Sequence, residues 1–120
     1  MLVQRMNRKS EGFYEVMGPV FGSRMIEQET RDRFYDDAGK EWYVLPGQGA
    51  ASVKEDTIRN FWAASEAVAD ALLAQITADY TRVKGIVPRK YEQAFKRAEF
   101  KTSAHRVNFL EVQHVQDKKH

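Results

Sequence analysis

The stretch from Lys40 to Tyr80 constrains the fold most, because an apolar strand pattern there runs without a spacer into an amphipathic helix. Trp42-Tyr43-Val44-Leu45 is a compact aromatic and branched run, closed by the turn sequence Pro46-Gly47-Gln48-Gly49. Ala50 to Val53 is then the return strand of a hairpin. A second polar turn, Lys54-Glu55-Asp56, leads into Thr57 to Ala63, whose Ile58, Phe61 and Trp62 suit a central strand buried on both faces. These three strands form a meander. Ser65 stands behind it as an N-cap, and Val68, Leu72, Leu73, Ile76 and Tyr80 fall on one face of the helix that follows.

The flanking segments read less regularly. Leu2 to Met6 is a short strand and Asn7 to Ser10 a polar turn. Ser10 or Glu11 opens a helix with Phe13, Tyr14 and Met17 on one side, and Gly18-Pro19 stops it, since proline has no amide to donate and restricts the residue before it. Ser23 caps a second helix through about Thr30. Beyond the central helix, Arg82 to Val87 is the next strand. Pro88 takes the first position of a fourth helix, which carries Tyr91, Ala94, Phe95 and Ala98 and ends near Glu99. Phe100 to Val115 is mostly strand, bent near Ser103, and the polar tail Gln116 to His120 is expected to fray. The pattern predicts one α/β (α+β) domain over residues 1–120: a mixed, largely antiparallel central sheet with helices on both faces.

Composition bears on function by exclusion. With no cysteine, disulfides and thiolate metal sites are ruled out, and His105, His114 and His120 have no ligand spacing that recurs, so no metal is expected. Lys and Arg total 19 against 17 acidic residues. A formal charge of +2 argues against a dedicated nucleic-acid binder. Arg89, Lys90, Lys96, Arg97, Lys101 and Arg106 do concentrate positive charge late in the chain, and they keep a nucleic-acid-associated protein as the weakest of the readings. No apolar run approaches the roughly 18 residues a membrane helix needs, and Met1 to Ser10 has no apolar stretch behind its Arg5, Arg8 and Lys9. A cytoplasmic protein without membrane contact is expected.

In order, the elements are strand, helix, helix, three strands, helix, strand, helix and a final strand or hairpin. That order, together with Lys40-Glu41-Trp42-Tyr43-Val44, Thr57-Ile58-Arg59-Asn60-Phe61-Trp62-Ala63 and Tyr91 to Phe100, resembles the GNAT-type N-acetyltransferase superfamily over roughly Phe13 to Val115. The resemblance implies acetyl-CoA as cofactor. It implies that Asn60, Phe61, Trp62 and Ala63 form the strand edge that pairs with the pantetheine arm, and that Ser65 stands at its phosphate end. Tyr91 is then the acid for the leaving thiolate, and Glu55 the base, with Glu41, His105 and His114 as alternatives. Small GNAT-like chains also occur in phages and mobile elements.

Two departures from the family pattern bear on activity. Where the family carries a basic or amide residue and then glycines, this chain has Ala63-Ala64-Ser65-Glu66, without glycine or positive charge, and Glu66 in the first helical turn opposes a pyrophosphate. In the late helix the family's tyrosine position is Phe95, with Tyr91 one turn earlier, and Glu99 replaces the glycine before Phe100. These departures define the alternative, a non-catalytic protein-binding module on a GNAT scaffold, working through a protein partner or as a homodimer by its exposed last strand.

Overall fold

The computed structural model describes residues 1–116. Along them run β1 (Gln4–Met6), α1 (Phe13–Phe21), α2 (Arg24–Thr30), β2 (Lys40–Leu45), β3 (Gly49–Lys54), β4 (Thr57–Ala63), α3 (Glu66–Asp79) and β5 (Arg82–Pro88). A 3-10 turn at Arg89–Tyr91 then leads to α4 (Glu92–Arg97), β6 (Lys101–Arg106) and β7 (Phe109–Val115). The strands form one sheet in the order β1-β2-β3-β4-β5-β7-β6. Every neighbouring pair is antiparallel except β4 and β5, which run parallel because α3 carries the chain back between them.

Each face of this sheet builds its own core. Strand alternation sends Tyr43 and Phe61 to one side, where Leu72, Leu73 and Ile76 of α3 and Phe95 of α4 pack on them with Val83 and Val87. Trp42 and Trp62 point the other way, against Phe13, Met17 and Val20 of α1 and Ile26 of α2. β2 and β4 are therefore covered on both sides, which is why their sequences read as continuous apolar runs. Among the described residues no helix is long and apolar enough to cross a membrane.

The structure corrects the sequence reading at three places. α1 does not stop at Gly18-Pro19 but continues to Phe21 with Pro19 inside it. Gly18 has no Cβ to clash with the proline ring, and burial of Phe13, Met17 and Val20 on one stripe holds the last turn. Pro88 does not begin a helix; it ends β5 opposite Phe109, and the amide of Arg89 donates to the Asn108 carbonyl at 2.8 Å. The final segment is the hairpin of the two alternatives, turning at Val107-Asn108 and not near Ser103, with a register shift between Ala104 and Arg106. The amide of Gln116 donates to the Thr81 carbonyl, and the remainder of the expected tail, 117–120, lies outside the described residues.

Candidate functional site

β4 and β5 pair over two residues only, Thr57 with Lys84 and Ile58 with Gly85, and then part. β4 continues along β3 to Ala63, while β5 follows β7 to Pro88. The vertex depends on Gly85: a Cβ there would lie 2.7 Å from the Ile58 carbonyl oxygen and 2.9 Å from its Cβ. Just beyond it β4 bulges. Ser52 faces Asn60 but Val53 faces Ile58, so Arg59 is an extra residue on β4.

In the opening between the strands lies Tyr91, which is 3% exposed. Its hydroxyl accepts from the Ala63 amide at 3.1 Å and donates to the Ala63 carbonyl at 3.3 Å. The ring is fixed edge-on to Phe61, at 5.2 Å between centroids. Burial raises the Tyr91 pKa, which the hydrogen bond to Ala63 only partly opposes. Two buried backbone groups that a neighbouring strand would otherwise satisfy are thus met by one side chain.

On the side of α3, Ser65 caps its helix by accepting from the Val68 amide at 3.3 Å, and the Ala64 amide is already given to the Gln48 carbonyl at 2.8 Å. Glu66 is not a bare charge. Arg97 of α4 donates to it at 2.8 Å and to Asp70 at 3.0 Å, all three side chains being exposed.

Two carboxylates approach β4 from the opposite face. The Trp62 indole donates to Glu29 at 2.9 Å, and the Asn60 amide donates to Asp32 at 2.9 Å. The Asn60 carbonyl oxygen accepts from Ser52 at 2.7 Å and from the buried Lys40 ammonium at 3.0 Å. Lys40 also donates to the Tyr35 carbonyl and lies 3.2 Å from Asp37, so the connector between α2 and β2 is tied to the middle of the sheet. A cavity of about 210 Å³ opens here, lined by Asp32, Tyr35, Lys40, Arg59 and Asn60 among others. Burial raises the Asp32 pKa, although the Asn60 hydrogen bond, the Arg33 backbone and Lys40 pull the other way. Asp37 is held low by hydrogen bonds from Lys54 and Lys40.

Of the residues singled out from sequence, Tyr91 and Ala63 are brought together. Phe61 and Trp62 bury their side chains in opposite cores, Asn60 joins the Asp32–Lys40 network, and Ser65 serves its own helix. Glu55 sits exposed in the turn that enters β4, at φ 59°, at the other end of that strand from Ala63. Glu41 accepts from Arg5 and Asn7. His105 lies 3.8 Å from Glu111, and the His114 ring packs 5.1 Å from Phe100. Asp32, Glu29 and Lys40 were not legible as site residues, since each lies in a charge-mixed stretch without a spacing that marks it, and Arg97 was legible only as one of the late cations. Searches of protein-family models, curated proteins and solved structures find nothing that matches the chain.

Proposed function

We propose that the chain is an acetyl-CoA-dependent N-acyltransferase of the GNAT type. The observation that carries this reading is the parting of β4 from β5, with the Ala63 N–H and C=O turned into the opening and met by a tyrosine instead of a strand. An extended arm with amide groups fits such an edge, because it replaces strand pairing with the same donor and acceptor. The phosphate end fits less well, as the Ala64 amide is already given to Gln48 and the junction has no glycine. Arg97 offsets part of the negative charge there, since it is shared between Glu66 and Asp70.

A bound acyl thioester supplies the activated carbonyl. The rest is the work of this chain's own groups. If such an arm is bound with its phosphates near Ser65, Ala63 would orient it and the acyl end would lie along β4 toward the vertex. From the other face Asp32, held by Asn60, accepts the proton of the attacking amine; its raised pKa suits it to that task. As the C–N bond forms and the C–S bond breaks, Tyr91, its hydroxyl released from Ala63 when the arm is in place, would supply the proton to the leaving thiolate.

The second reading, a non-catalytic binding module, is favoured by the completeness with which Tyr91 satisfies Ala63 and by the missing glycines at 63–66. Titration calorimetry with acetyl-CoA, paired with a thermal-shift series, separates the two. Coenzyme at a hundred times its Kd should stabilise the protein by roughly 2.7 kcal/mol. No heat and no shift at millimolar acetyl-CoA overturns the acyltransferase and leaves the module.

A further inference from the structure

α1 and α2 cover only the half of their sheet face that β1 to β4 provide, through Met6, Trp42, Val44, Ala50 and Trp62. Over β5, β7 and β6 that face carries no helix, and with the start of β4 it forms a groove of about 490 Å³. Its floor follows from register. Thr57, Lys84, Gln113 and Lys101 are consecutive partners across four strands and form one row; Ile86, Glu111 and Ser103 form the next. Arg59 lines the groove from the bulge of β4, and Arg82 precedes Lys84 by two residues on the same side of β5.

Arg59, Arg82, Lys84 and Lys101 are all exposed, and among the described residues none lies within ion-pair distance of a carboxylate. Elsewhere Arg5, Arg8, Lys40, Lys54, Lys96 and Arg97 are paired. The groove itself is lined by Arg59, Lys84 and Lys101 against one carboxylate, Glu111, and the Asp56 carboxylate stands at its edge, accepting from the Thr57 hydroxyl at 3.1 Å. Arg59, Arg82, Lys84 and Lys101 thus stand together on one uncovered surface of the sheet.

We infer that this surface docks the phosphodiester backbone of a nucleic acid. Its chemistry is cationic side chains interleaved with the hydroxyl and amide groups of Thr57, Ser103 and Gln113, the make-up of a backbone-reading interface. A protein partner is disfavoured because the groove has no aromatic anchor, its exposed apolar groups being Ile86 and, opposite Arg82, Val115, whereas protein interfaces are built around buried aromatic centres with lysine depleted. A second copy of the chain would set the same cations against each other. The absence of aromatics to stack on bases favours a duplex over a single strand. The inference does not depend on the acyltransferase reading.

The test is fluorescence anisotropy with the full chain and a labelled 20-base-pair duplex DNA. With three to four phosphates neutralised, the log–log salt slope should be about −3, a loss of roughly 60-fold in affinity between 50 and 200 mM salt. The combined variant Arg59→Gln, Lys84→Gln and Lys101→Gln should lose binding at least ten-fold and flatten the slope. Lys9→Gln with Arg24→Gln, exposed cations off this face, should change little, and circular dichroism establishes that both variants fold. Absence of binding at 50 mM salt, equal loss in the two variants, or tighter binding of a poly-glutamate peptide than of DNA would each overturn the inference, the last in favour of an acidic protein.

Discussion

The hydroxyl of Tyr91 satisfies both backbone groups of one residue, accepting from the Ala63 amide at 3.1 Å and donating to its carbonyl at 3.3 Å. Tyr91→Phe leaves that buried N–H and C=O without a partner, which should cost on the order of 1–3 kcal/mol in urea denaturation. If the opening receives a thioester arm, the same variant should bind acetyl-CoA more tightly, because the competing hydroxyl is gone, yet transfer the acyl group more slowly. A variant as stable as the parent would show that the opening is hydrated and not sealed by Tyr91.

Arg97 bridges Glu66 and Asp70 at the start of α3. Arg97→Gln should therefore weaken acetyl-CoA binding by uncovering two carboxylates near the phosphates, and Glu66→Gln should tighten it. Calorimetric titrations of both variants decide this. Tight binding by the parent that Glu66→Gln weakens would refute this assignment of the helix end.

Asp32 and Asp37 should give opposite pH dependences. Burial raises the folded-state pKa of Asp32, so its contribution to stability is fully present below the unfolded value near 3.9 and is lost as pH rises through the folded value. Asp37 is lowered by Lys54 and Lys40; its contribution is present above about 3.9 and lost as pH falls through the folded value. Relative to the parent, Asp32→Asn should become more stable between pH 3 and pH 7 and Asp37→Asn less stable. Urea midpoints at the two pH values read both signs, and parallel slopes would contradict the assigned environments.

Glu99 ends α4 with φ 67°, a left-handed conformation that glycine adopts without strain. The turn is fixed by the Phe100 amide donating to the Phe95 carbonyl at 3.0 Å and by the two rings packing 4.9 Å apart. Glu99→Gly should thus stabilise the protein by up to about 1 kcal/mol, read from the denaturation midpoint. Destabilisation would mean that the Glu99 side chain contributes more than its backbone costs.

From the sequence alone came the meander, the Ser65 cap and the helix behind it. There the signals are local: β4 spans Thr57–Ala63 as read, and Ser65 accepts from Val68. The mixed sheet with helices on both faces followed from the same runs, because Phe61 and Trp62, adjacent in a strand, must bury toward opposite layers. Gly18-Pro19 misled because helix-breaking is a local tendency that burial of Met17 and Val20 outweighs. The late basic residues were legible as a run but not in their pairing. Lys96 and Arg97 are neutralised by Glu92 and by Glu66 with Asp70, the last two more than 25 residues away in sequence, whereas Arg59, Arg82 and Lys84, scattered among strands, stand together unpaired. Only the tertiary structure decides such neighbourhoods. Periodicity tells which side of a strand a residue faces, but strand order and register determine what lies across from it, and those are set by contacts between distant segments.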